Sequence, residues 1–422
     1  MRGLASAHLL RDNRDFRRLF FAAIASMAGD WFAFVALADL VSQLTHQRGA
    51  SAFVFAATVL PMFFAAPFAG AAADRFDRKR LLVAADLVRV PLALLLCGAA
   101  AWGSAPLAYG VLIALGLAAS FHDPVTSAVM PNLVAAKDLS RAQALLGAVW
   151  GGMLFLGAGL GGLVAELLGM QVAFIVNAAS FAISAWLIAG IEKPMQEARA
   201  GERRADGGIG EVLRYIVRDR VVRRLVLAKF GVSSANGTVG LLPAFAHERF
   251  AGTSVATGLL LSARGVGAML GPFLARWLGG PTPGPRMIIV MCGASTLLYV
   301  AIYAVLPLVT VFALAMLLVV IAHLGGGAQW SLSTYGLQVA TPDAMRGRVM
   351  SIDYGLATLV IGISALIAGM IANATSAATA TWWLCGAGLV YAIGWTLWAL
   401  RGTPATVPAQ TAAEVLPADQ HR

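Results

Sequence analysis

The chain has 422 residues, 59% of them hydrophobic and only 12% charged, with a formal net charge of +10. A soluble domain carries about 25% charged residues, and a mean hydropathy of +0.77 leaves too little polar surface to cover one. That excludes a water-soluble fold. The apolar runs are continuous rather than alternating, so helices are expected as the spanning form, not a β-barrel.

A crossing helix needs about 20 apolar residues for a hydrocarbon core of about 30 Å. About twelve such spans are predicted, giving an all-α polytopic membrane protein. They fall at 17–43, 51–73, 81–102, 106–129, 142–166, 169–190, 224–246, 254–276, 286–305, 308–337, 349–372 and 378–400. The first follows a basic stretch, Arg11 to Arg18, but is long enough to cross and contains Asp30, so it reads as a retained helix rather than a signal peptide. Three long apolar stretches divide at Gly103-Ser104-Ala105-Pro106, Pro307 and Asn373-Ala374-Thr375-Ser376, where breaker residues supply the turns.

The longest polar segment, Ile191 to Arg224, separates six spans from six. Its later part, Ile209 to Val222, reads as an amphipathic surface helix. The expected domains are two pseudo-symmetric six-helix bundles over 1–190 and 224–402, a linker over 191–223 and a disordered cytoplasmic tail over 403–422. Pro131 and Pro342 open similar polar loops in the two halves, a faint internal repeat.

An even number of spans puts both termini on one side. Of the 31 Lys and Arg, all but five then fall in segments on that side. Arg48 and Arg249 lie opposite, and Arg89, Lys229 and Arg264 lie within spans. An excess of Lys and Arg marks cytoplasmic loops, so both termini are expected in the cytoplasm. The same spreading argues against a nucleic-acid surface. Cys97, Cys292 and Cys385 lie in apolar runs and form no CxxC, so neither a disulfide framework nor a metal site is suggested.

Between the second and third spans stands Gly70-Ala71-Ala72-Ala73-Asp74-Arg75-Phe76-Asp77-Arg78-Lys79-Arg80. It resembles the loop signature G-x-x-x-D-R-x-G-R-R/K of the major facilitator superfamily, with Asp77 in place of Gly. Gly29-Asp30-Trp31 and Arg346-Gly347-Arg348-Val349-Met350-Ser351 extend the resemblance, toward the branch of enterobactin exporters and macrolide-efflux proteins. The resemblance implies a loop that latches two halves together, with gating by Gly70, Asp74, Arg75, Arg78, Arg346 and Arg348, and Asp74 facing the start of the eleventh span. The same basic residues also serve as topology determinants. In the fifth span, Gly157-Ala158-Gly159-Leu160-Gly161-Gly162 is similar to the end of the superfamily's antiporter motif, while small residues also favour close helix packing.

Intramembrane charge is costly and marks paired or functional groups. Asp30, near mid-span, is a candidate proton carrier or a structural carboxylate. Asp86 and Arg89 are spaced to pair on one helix face. Asp123 adjoins His122 before Pro124. Arg264 must face a cavity or a carboxylate, with Asp30 a candidate partner. Asp39 is expected to be solvated and Lys229 to snorkel. Trp31, Trp150, Asn236, His323 and Gln329 are candidates for lining a substrate cavity. No P-loop, HExxH or GxSxG pattern is present, so neither an enzyme nor ATP drive is indicated, and no cofactor or metal is expected. The expectation is a monomeric secondary transporter of the bacterial inner membrane, exporting an amphipathic small molecule with protons as coupling ion. An importer or facilitator on the same fold is the alternative, and a membrane-embedded enzyme or a sensor the more distant one.

Overall fold

The computed structural model describes residues 9–195, 209–250, 253–280, 283–341 and 343–401. The tail expected over 403–422 and much of the linker lie outside these. The first half comprises α1 (Arg14–Thr45), α2 (Ala50–Arg75), α3 (Arg78–Ala101), α4 (Ala105–Ala119), α5 (His122–Leu133), α6 (Ala136–Leu168) and α7 (Met170–Ala189). A short helix follows, α8 (Ile209–Arg218). The second half comprises α9 (Arg220–Ala235), α10 (Gly237–Gly240), α11 (Leu242–Arg249), α12 (Ser254–Gly279), α13 (Pro285–Val305), α14 (Phe312–Ala340), α15 (Asp343–Ala374) and α16 (Ala377–Leu400). Among the described residues, ten segments are long and apolar enough to cross a membrane, and Ala50–Ala65 and Ala105–Ala119 are shorter apolar helices. About twelve spans are thereby accounted for.

Polar side chains set the helix starts. Asn13 accepts a hydrogen bond from Phe16 N at 2.9 Å, and Ser104, Thr253 and Ser376 cap α4, α12 and α16 in the same way. Asp77 accepts from Arg80 N at 2.8 Å with φ −64°. The position where the family pattern has glycine is thus a helix N-cap here.

Two predicted spans are interrupted. The fourth breaks at Ser120 and Phe121, between α4 and α5. The seventh runs from α9 through the four-residue α10 into α11, with Asn236 and Leu241 at the joints. Ser364 on α15 bridges the first of these joints: its hydroxyl accepts from Gly237 N at 2.9 Å and donates to Ser234 O. Broken helices survive at membrane depth where protein groups satisfy the freed backbone. The amphipathic segment is shorter than expected, because Asp219 caps α9 through the amides of Val221 and Val222. Its Val212 and Ile216 are buried, while Leu213 and Val217 are exposed.

Within the first half, α1 packs on α6 and α7, and α3 on α7. Within the second, α14 packs on α12 and α13, and α13 on α16. The halves meet along two seams, α6 with α12 and α2 with α15. These are the fifth and eighth spans and the eleventh and second, equivalent under exchange of the halves. At the α6–α12 seam a Cβ added to Gly162 would lie 2.4 Å from Ser254 O, and one added to Gly258 would lie 2.5 Å from Ala158 O. Only glycine lets the two backbones approach this closely.

Candidate functional site

Three groups of polar side chains are buried at depth. In the first half, Arg89 near the middle of α3 donates to Asp30 Oδ2 at 2.7 Å, Asp86 Oδ1 at 3.1 Å and Ser26 Oγ at 3.1 Å. Its guanidinium carbon stands 3.8 Å from the centre of the Phe181 ring on α7. His122 Nε2 lies 4.0 Å from Asp86 Oδ2. Two carboxylates therefore share one guanidinium, one more than it can neutralise. The Asp86 and Arg89 side chains are 0% and 3% exposed, and that of Asp30 is 44% exposed. Asp30 is the accessible end of the cluster, at the middle of a 32-residue helix.

The second half carries a different pair. Lys229 on α9 donates to Asp353 on α15, both buried, with the ammonium 4.6 Å from the Trp330 ring centre. Lys229 does not snorkel as expected: a counter-charge inside the bundle holds it. Asp353 was not singled out by the sequence reading. It lies inside the predicted span 349–372, four residues after its start.

Between the halves lies Arg264, near the middle of α12. Its partner is not Asp30, which Arg89 holds. The Arg264 guanidinium carbon stands 5.7 Å from Trp31, 5.8 Å from Phe55 and 5.7 Å from Trp150, all ring centres of the first half. Trp31 and Trp150 meet edge to face with centroids 6.5 Å apart. The cavity candidates thus separate. Trp31 and Trp150 stand together at the interface, Trp150 with 41% exposure. His323 is buried on α14, its Nε2 2.9 Å from Tyr303 Oη and its ring against Tyr299. Gln329 and Asn236 are buried within the second half. Neither amide atom of Gln329, nor Asn236 Oδ1, has a hydrogen-bond partner.

At the end of the bundle opposite the termini, side chains tie the halves together. Asp39 on α1 accepts from Ser254 Oγ at the start of α12, and Glu166 on α6 accepts from Ser254 N at 3.0 Å. His247 Nε2 on α11 lies 3.7 Å from Asp39 Oδ1. Asp39 is 1% exposed, so it is sealed between the halves rather than solvated as expected. Nearby, Arg48 donates to Thr375 O, Gly49 N donates to Asn373 Oδ1 at 2.7 Å, and Asn373 Nδ2 donates to Gln47 Oε1 at 3.3 Å.

At the terminal, basic end, Arg78 and Lys79 reach the carbonyls of Met195 and Ile191, at 3.5 and 2.8 Å. Arg348 Nη1 lies 3.8 Å from Glu211 Oε2 on α8. These basic residues bind the described parts of the linker. The surroundings of Gly70 and the side chains of Asp74, Arg75, Asp123 and Arg346 lie outside what the structure describes.

Comparison with known proteins follows the same architecture. The model of the Major Facilitator Superfamily matches residues 19–353. The multidrug efflux pump Tap of Mycobacterium tuberculosis (strain ATCC 25618 / H37Rv) is 27% identical over 380 residues, covering 84% of this chain and 86% of Tap. The uncharacterized MFS-type transporter YkuC of Bacillus subtilis (strain 168) is 27% identical over 244 residues, 55% of this chain and 56% of YkuC, so that match spans little more than half of the relative. The crystal structure of a POT family transporter in complex with 5-aminolevulinic acid superposes with a TM-score of 0.74 at 12% identity, over 92% of this chain and 96% of that one. At that identity the likeness speaks for the fold alone. A family match across most of the chain, on two six-helix bundles with charged groups at mid-depth, places the protein in the Major Facilitator Superfamily, as a multi-pass membrane transporter of small molecules.

Proposed function

We propose that the protein is a proton-coupled exporter of an amphipathic small molecule. It works as a monomer in the bacterial inner membrane with both termini cytoplasmic. Its halves, residues 1–190 and 224–402 joined by the linker over 191–223, rock about a site between them. The observation that carries this reading is the cluster in which Arg89 is shared by Asp30 and Asp86. A proton on Asp30 neutralises the surplus charge and frees part of the Arg89 bonding, so the charge state of α1 is tied to its packing on α3. The likeness to Tap supports export as the direction.

Screening a deletion strain against its parent over a broad compound panel supplies a transported compound. Accumulation of that compound in inverted vesicles is then measured under an imposed proton gradient. Asp30→Asn is expected to cut gradient-driven accumulation about tenfold or more, the usual scale of coupling between two ligands, while downhill exchange continues. Normal gradient-driven accumulation by Asp30→Asn removes the cluster from the mechanism. Accumulation only in right-side-out vesicles makes the protein an importer.

A further inference from the structure

The described intramembrane cations differ in one respect. Arg89 has two carboxylates and Lys229 has one. Arg264 has no Asp or Glu within 4.0 Å among the described residues, and its Nε and Nη1 have no hydrogen-bond partner. Yet it is 7% exposed and lies near the middle of α12. Tyr299, Tyr303 and His323 bear on it electrostatically, and none of them is a carboxylate. The three aromatic rings around it attract a cation weakly, and less than burial of an unpaired charge costs. A helix-centre position is too deep for the guanidinium to reach a lipid headgroup. Among the described residues, no carboxylate supplies the counter-charge that would complete this site.

We propose that Arg264 is the anion-recognising group of the substrate site, and that the cargo is an amphipathic molecule bearing a carboxylate, sulfonate or phosphate beside a flat apolar body. The guanidinium fork pairs with such oxyanions through two parallel hydrogen bonds. Trp31, Phe55 and Trp150 form the apolar wall that receives the ring portion of the cargo. The cation belongs to the second half and the wall to the first. An acidic molecule seated between them contacts both, and its arrival and departure are tied to their separation. This deepens the exporter reading by naming its substrate class, and rests on it only for the ligand being cargo.

Binding tests the proposal without any gradient. Detergent-purified protein is titrated with pyrene-1-butyrate, its neutral amide and the cationic pyrene-1-butylamine, following energy transfer from tryptophan. The carboxylate is expected to bind about 10- to 100-fold tighter than the other two, the range of a charge-assisted hydrogen bond. Arg264→Gln erases that preference, and Arg264→Lys keeps part of it. Trp150→Ala weakens all three probes alike. Because a ligand-free binding cation is a liability to the fold, Arg264→Met raises the thermal midpoint of the empty protein, whereas a structural role for Arg264 predicts a fall. Equal binding of carboxylate and amide, preference for the amine, no saturable binding of the carboxylate, or stronger competition by phosphatidylglycerol than by free carboxylate overturns the proposal. Carboxylate-selective binding with no gradient-driven transport in vesicles leaves it standing and sinks the coupling reading instead.

Discussion

A buried charge behaves according to what faces it, and three basic residues at depth illustrate three outcomes. Arg89 is over-supplied with carboxylates, Lys229 is matched and Arg264 has none among the described side chains. For the matched pair, removing one member leaves the other charge stranded. Lys229→Met or Asp353→Leu alone is expected to destabilise the protein by about 3–5 kcal/mol, while the double replacement recovers most of that loss. Thermal unfolding of the three variants in detergent checks this, and single losses that add in the double variant would show no coupling. The sequence alone exposes the rarity of these charges, because each interrupts an apolar run. It does not expose their partners. Asp39 looks like an end-of-helix residue in one dimension and becomes sealed only because α12 of the other half lies across it. Asp353 and Lys229 are 124 residues apart, and nothing local connects them.

At the scale of the element, hydropathy locates the spans because continuous apolar length is the signal the bilayer demands. It misses the breaks in the fourth and seventh spans, since an interruption costs no hydrophobicity. The local marks are His122-Asp123-Pro124 after the first break and Asn236-Gly237 and Pro243 at the second, and each fits inside a run apolar enough to read as one span. The glycines of α6 carry a clearer meaning in three dimensions than in sequence: those facing α12 form a seam between halves. A leucine at Gly258 has no room, since a Cβ there would already lie 2.5 Å from Ala158 O. Gly258→Leu is expected to cost about 1–3 kcal/mol by overpacking and to abolish transport while helix content by circular dichroism stays unchanged. Full transport by this variant would show that the seam opens without penalty.

For the whole molecule, an all-helical chain of about twelve spans is legible in the sequence, because continuous apolar length is what a bilayer demands. How the bundles touch was not legible, because it depends on side chains distant in sequence meeting across an interface. In this structure Gln47, Arg48 and Gly49 of one half bond to Asn373 and Thr375 of the other at the end opposite the termini. Transport by rocking requires those contacts to break in every cycle. The direct measurement uses a protein with Cys97, Cys292 and Cys385 replaced by Ala, carrying Gln47→Cys and Asn373→Cys and reconstituted in vesicles. A short bifunctional thiol reagent joins the new pair, and transport is followed before and after its reductive release. The account predicts transport lost on cross-linking and restored on release; undiminished transport by the fully cross-linked protein would contradict it.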